Sequence, residues 1–144
     1  MIRSLAAASA SLAVLGACVS TPVAAATGAD QTISVQNGQI RCLISADFEG
    51  AGIPAAICGR TDGIPFQTSP ADLNLAVVES TGEIYYEQGT IVPPAPNDIV
   101  LGVGQTSNIN GWTIKAEELR TLIYYDVGRH GMSVKPVEVL AVWI

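Results

Sequence analysis

The sequence predicts an all-β fold, an antiparallel β-sandwich with a small β-barrel as the alternative, and three observations carry that reading. Apolar and polar residues alternate with a period of two in several short runs, separated by turn signals roughly every 8 to 15 residues. Beyond the first 26 residues no apolar stripe recurs at the helical period. Asn37-Gly38, set between alternating runs, is the strongest short hairpin cue, because both central positions of a type I′ turn need positive φ.

Residues 1–26 have the organisation of a secretory signal: Arg3, an apolar run from Leu5 to Val19, then small residues. The run is short and rich in Ala and Ser, which makes it a poor membrane span. Two processing sites compete within it. Leu15-Gly16-Ala17-Cys18 has the form of a lipobox, which would leave a lipid-modified Cys18 as a membrane anchor. Ala24-Ala25-Ala26 after Pro22 has the form of an ordinary signal-peptidase site, and cleavage there is the favoured reading. Residues 27–32 then read as a flexible leader and 33–144 as a single β domain, large enough for a sizeable core.

In residues 33–45 the hairpin register sets Val35 opposite Ile40 and Ile33 opposite Cys42. One face carries Ile33, Val35, Ile40, Cys42 and Ile44, while Ser34, Gln36 and Arg41 point the other way. A glycine-bearing loop (46–55) precedes the run that returns Cys58 towards Cys42, and 61–72 is a long turn region. A second hairpin about Thr81-Gly82 groups Leu73, Leu75, Val77, Ile84 and Tyr86 on one face and Glu83, Tyr85 and Glu87 on the other. Residues 92–98 contain three prolines and read as a connector, since proline removes ladder donors. Further strands follow Gly111 and span 121–126, with a turn of helix expected at Glu117-Glu118-Leu119 and a turn over 127–131. The last run, 137–144, is apolar at nearly every position, so both of its faces are expected to be covered.

The chain carries 7 basic and 13 acidic residues, a net charge of −6. With no basic cluster, such a surface repels phosphate backbones, and nucleic acid is not an expected partner. Once the signal is removed, Cys42 and Cys58 are the remaining cysteines. An even pair in an exported chain reads as a disulfide rather than as a metal or redox pair, because no histidine lies nearby and the spacing is not C-x-x-C. Cys18 is surplus to the fold.

Candidate chemistry is sparse. His130 is the one histidine and could act as a general base oriented by Asp126, yet no G-x-S-x-G elbow accompanies it, and a polar residue in a glycine-flanked turn is the simpler account. Asp47 and Glu49 do not form an EF-hand pattern. Glu83 and Glu87 lie about 13 Å apart in an extended strand, too far for a glycosidase pair. Gly102-Val103-Gly104 is only a fragment of a nucleotide-binding loop. Trp112, Tyr85, Tyr124 and Trp143 could line a sugar or lipid surface, although such aromatics more often pack within a β domain. Tyr124, Asp126, His130 and Trp112 are therefore the weak binding candidates, with no catalytic residue, metal or cofactor assigned.

The segments RCLISAD and ICGRTDGIPF, and later NINGWTIKAE and GRHGM, resemble a group of small exported proteins from mycobacteria and related actinobacteria. Arg129 stands where that pattern has glycine. The resemblance covers most of residues 27–144. It implies export from a cell with a thick, lipid-rich envelope and a paired Cys42–Cys58, and it implies no activity. The expected protein is a non-enzymatic binding module, secreted or associated with the cell wall, whose partner is an envelope protein, lipid or glycan. A carrier of a small apolar ligand is the alternative, and an envelope hydrolase using His130 and Asp126 a weaker one. Contact with a membrane is expected only through an anchor at Cys18. Intact-mass spectrometry of the naturally processed protein is expected to show a start at Thr27 with two hydrogens missing, whereas a start at Cys18 with added acyl mass would overturn the released form.

Overall fold

The computed structural model describes residues 28–144; the signal segment, both processing sites and Cys18 lie outside them. Eleven strands form two sheets. The first contains β1 Gln31–Val35, β2 Ile40–Ser45, β3 Ala55–Arg60, β4 Leu75–Glu79, β5 Ile84–Glu87 and β6 Ile99–Val100, in the order β5-β4-β3-β2-β1-β6. The second contains β7 Thr106–Ile109, β8 Trp112–Ala116, β9 Thr121–Tyr125, β10 His130–Val134 and β11 Val139–Trp143, in the order β11-β10-β9-β8-β7. The sheets face each other and remain separate, so the fold is a sandwich and not a barrel. All pairings are antiparallel except the short parallel contact of β6 with β1.

The first hairpin has the expected register, Val35 opposite Ile40 and Ile33 opposite Cys42. Asn37 and Gly38 take φ of 57° and 83°, as the turn requires, but Gln36 also adopts a left-handed φ of 54°. That rotation overturns the expectation that Gln36 points away from the core. Its buried amide donates to Thr121 Oγ1 at 2.9 Å and to the Glu117 carbonyl, tying the turn to the second sheet. Strand pairing also begins earlier than expected, because Gln31 and Thr32 already pair with Ile44 and Leu43 and shorten the leader.

Cys42 and Cys58 stand directly opposite each other on β2 and β3, with Cα atoms 4.1 Å apart, and form the disulfide. Both are wholly buried between the sheets, beside Ile33, Ile40, Ile44 and Val78.

The second hairpin departs from the expected register by one residue. Glu79 pairs with Glu83 around a three-residue loop in which Gly82 has a φ of 99°, so Val78 meets Ile84 and Ala76 meets Tyr86. A one-residue slip exchanges the faces of a strand. Ile84 and Tyr86 therefore share the inner face with Ala76 and Val78, while Leu75, Val77 and Tyr85 pack on the outer face with Ile57 and Ile91. The first sheet is apolar on both sides, its outer side covered by the 46–54 loop and the connector.

Arg41 holds that connector. Its Nε and Nη2 donate to the two Asp98 carboxylate oxygens at 2.7 Å each, Nη2 also donates to the Pro93 carbonyl, and Nη1 donates to the Ile91 carbonyl. The Asp98 carboxylate is 2% exposed and the Arg41 side chain 14%. The hydrogen-bonded guanidinium holds the Asp98 carboxyl below the usual carboxylate range.

Two further expectations fail in the second sheet. Glu117-Glu118-Leu119 form no helix; Glu117 N–H bonds the Arg120 carbonyl, closing a tight hairpin between β8 and β9. β7 and β8 form another hairpin, with Asn110 and Gly111 at positive φ and Ile109 opposite Trp112. The final strand is not covered on both faces. β11 is an edge strand paired only with β10, and Leu140, Trp143 and Ile144 are exposed.

A depressed native pKa contributes stability that is present above the ordinary carboxylate pKa and lost as pH falls through the depressed value. Asp98→Asn is therefore expected to cost about 2–4 kcal/mol at neutral pH, since it leaves a largely buried guanidinium without its carboxylate, and the difference should close in acid. Urea unfolding of both proteins across the pH range checks this; equal stability at neutral pH would show that the clamp contributes nothing.

Candidate functional site

The weak binding candidates do not gather into one site. Trp112 is fully buried between the sheets, edge-on to Tyr125 with ring centroids 5.2 Å apart, and its indole N–H has no acceptor among the described residues. It is a core residue. Asp126, in the β9–β10 turn, takes a hydrogen bond at 2.5 Å from Thr113 Oγ1, the hydroxyl that also lies 2.9 Å from the Asn108 side chain. Among the described residues no hydrogen bond joins Asp126 to His130.

His130 instead fills a gap between the two layers. A Cβ on Gly82 would lie 2.8 Å from its Nδ1, so the ring packs directly on the β4–β5 turn. Trp143, directly opposite on β11, stacks on it at 5.7 Å with an interplanar angle of 12°. The Trp143 indole N–H donates to the Gly128 carbonyl at 3.1 Å, which fixes the ring while leaving it 77% exposed.

Tyr124 is the candidate that the fold places on the outer side of the second sheet, where the ring is itself buried, at 6% exposed. It lies on the outer face of the second sheet, opposite Thr113 on β8 and Gly131 on β10. Gly131 has no room for a side chain, because a Cβ there would meet the Ile123 carbonyl and Tyr124 itself. Two cations approach the Tyr124 ring, Arg129 with its Cζ 5.1 Å from the centroid and Lys115 with its Nζ at 5.8 Å. The other four basic residues of the described chain are ion-paired: Arg41 with Asp98, Arg60 with Asp62, Arg120 with Glu117 and Lys135 with Glu138. Lys115 and Arg129 are thus the cations without an ion-pair partner among the described residues, and one ring assembles both.

The apolar edge adjoins this face. Leu140, Val142 and Ile144 share the outer side of β11, and Val127 is exposed in the turn that carries Arg129. The Lys135–Glu138 and Ile144–Arg129 backbone bonds set the ladder with β10, so residues 139, 141 and 143 turn their N–H and C=O groups outward. Thr68 Oγ1 accepts from the Val139 N–H, and the Gln67 N–H donates to the Val137 carbonyl. Among the described residues the Val139 carbonyl and the backbone groups of Ala141 and Trp143 stay open on this edge. The remaining edge strands are β5, the two-residue β6 and β7, which reads Thr-Ser-Asn-Ile.

Charge is divided between the layers. Residues 28–98 hold nine acidic and two basic side chains, and residues 99–144 hold four of each. On the first sheet, burial pushes the Tyr85 hydroxyl up to about 12, and the Glu79, Glu87 and Glu49 carboxylates around it add to the shift.

A cavity of about 310 Å³ opens on the outer face of the first sheet, with Leu75 and Ile91 in its lining beside Arg41, Asn74 and Thr90. Four of the five Arg41 N–H groups are engaged in the connector, and the Asn74 amide is bonded at both ends to the Gly89 backbone. Among the described residues, no helix is long and apolar enough to cross a membrane, and no three His, Cys, Asp or Glu side chains group to hold a metal ion.

The chain matches no family model, no curated protein and no solved structure. Acrylamide quenching is expected to divide its two tryptophans, with Trp143 quenched freely and Trp112 shielded. Trp143→Phe should remove the quenchable fraction, and its persistence would place Trp112 outside the core.

Proposed function

We propose that this protein is an exported, non-enzymatic binding module of the cell envelope or the medium, and that it binds through the outer face of its second sheet and the adjoining β11 edge. One observation carries the reading: two cations without ion-pair partners and an exposed apolar strand occupy the same side of an acidic protein. Isolated exposed apolar residues need no explanation, but a contiguous group beside an unprotected strand edge is where a partner gains buried area. The signal-like residues 1–26 and the disulfide support export, with release after Ala26 favoured over an anchor at Cys18.

A carrier reading has one observation in its favour, the cavity beside Leu75 and Ile91, whose volume is at the lower end for small-molecule sites. The hydrolase reading gains no support from the geometry, since Asp126 is committed to Thr113 and His130 to ring stacking.

Amide hydrogen exchange with isolated cell envelopes separates these readings. Slower exchange at Ala141, Trp143 and the 126–129 turn is expected. Protection confined to the Gly59, Leu75 and Ile91 region would favour the carrier and overturn the proposed face.

A further inference from the structure

We infer that β11 is a self-association edge, on which two copies of this chain pair antiparallel about a two-fold axis at Val142. The inference goes beyond the reading above. It concerns the same edge when no envelope partner occupies it, so the two occupants exclude each other.

The first argument is which backbone groups are open. The Lys135–Glu138 and Ile144–Arg129 bonds set residues 138, 140, 142 and 144 towards β10, so 139, 141 and 143 face outward. Thr68 takes the Val139 N–H and Gln67 covers the Val137 carbonyl, which closes the start of the strand. Ala141 and Trp143 are then the residues of this edge with both backbone groups open. Across a two-fold axis at Val142 they stand opposite each other, and the two copies exchange four hydrogen bonds. The overlap, 140–144, stops short of Thr68 and displaces no existing bond. An axis at Ala141 would instead set the Trp143 carbonyl of one copy against a Val139 N–H that Thr68 already holds.

The second argument is the side chains. Exposed edges are commonly guarded by charge, proline or shortness. The edge strand β5 ends in Glu87, β6 has two residues and β7 is mostly polar, whereas residues 139–144 carry no charge and no proline. On the outer face this register sets Leu140 against Ile144 and Val142 against itself, an unbroken apolar row whose outer members are about half exposed in the single chain. On the inner face the exposed Trp143 meets Ala141, a large ring beside a methyl group. The indole leans on His130 and the Gly128 carbonyl, which leaves the open side of the strand clear.

Area and charge set the strength. Each copy would cover roughly 400 Å², about half of a standard interface, which fits a reversible dimer and not a permanent one. The excess acid belongs to residues 28–98, while residues 99–144, which include β11, are balanced. The edge is therefore where two acidic copies approach at least electrostatic cost, and salt should strengthen their contact by screening the rest.

The test uses naturally processed protein from a Cys18→Ser chain, which has no site for an acyl anchor. Sedimentation velocity across the micromolar to millimolar range is expected to show a monomer giving way to a dimer and to nothing larger, because an isologous contact closes on itself. Amide exchange at Ala141 and Trp143 should slow as concentration rises. Val142→Lys sets two ammonium groups face to face at the axis and should weaken the dimer at least roughly tenfold, as should Val142→Glu, while a mixture of the two variants should restore it. Ala141→Pro removes an outward N–H and none from the β10 ladder, and should weaken it as well. The urea midpoint of each variant is expected to stay close to that of the parent. A monomer at every concentration would overturn the inference, as would open-ended larger species or a dimer that either Val142→Lys or Ala141→Pro retains. A mixture of the Lys and Glu variants that stays monomeric would overturn it too. If dilute protein gains envelope-induced protection on β11 and never dimerises, the binding face stands and the second copy falls. A dimer without envelope-induced protection upholds this inference and removes the binding reading.

Discussion

The Arg41 guanidinium is the contact on which the two-layer arrangement depends. It emerges from β2 on the outer side of the first sheet and gathers Ile91, Pro93 and Asp98 with four hydrogen bonds. Those bonds turn a proline-rich segment, which cannot enter a ladder, into a fixed strap. The strap delivers Ile99 and Val100 alongside β1, and the Leu101 N–H continues the contact to the Ser34 carbonyl before the chain crosses into the second sheet. A guanidinium suits this task because its planar fork can grip a carboxylate and two carbonyls at once. A lysine would bring one ammonium to the same four acceptors.

How far the sequence could be read varies with the range of the forces involved. Register in the first hairpin follows from Asn37-Gly38 and the alternation of Ile33, Val35, Ile40 and Cys42, all local signals, and it agrees with the fold. Asn110-Gly111 carries the same type of signal at the turn into β8, whereas β7, a short and mostly polar Thr-Ser-Asn-Ile run, carries no alternation that marks it as a strand. The β4–β5 register is different in kind. A two-residue and a three-residue loop both fit Ser80-Thr81-Gly82, and packing against the second sheet separates them by placing Ile84 and Tyr86 inward. The final strand was misread for a similar reason. An unbroken apolar run fits a central strand, but its place in the sheet depends on pairings that sequence alone does not supply.

The candidate site was legible only in pieces. Tyr124 was singled out as an aromatic, and Lys115 and Arg129 were visible only as members of an unremarkable charge count. Their convergence is a cross-strand relation: β8 supplies one, the β9–β10 turn the other, and the narrow track over Gly131 leaves space for the ring between them. Pairing mattered as much as position. Sequence lists six basic residues after Arg3, and the fold neutralises four of them within their own loops and straps. Trp112 went the other way. The Gly-Trp-Thr stretch alone does not say whether the ring enters the core; that depends on the alternation of Trp112, Ile114 and Ala116 against Thr113 and Lys115.

The placement of the disulfide has a consequence for how the molecule can yield. Cys42 and Cys58 join neighbouring strands of one sheet that already share a continuous ladder. No covalent bond within the described residues crosses from one layer to the other except the chain itself. Cohesion between the layers therefore comes from side chains such as Phe66, Trp112, Ile123 and Met132, and from the Gln36 amide. Oxidising the thiols protects the first sheet from fraying along β2 and β3 and leaves the adhesion of the second sheet to packing and a few hydrogen bonds. Mechanical or thermal separation of the layers and chemical reduction of the protein are, in this architecture, independent modes of failure.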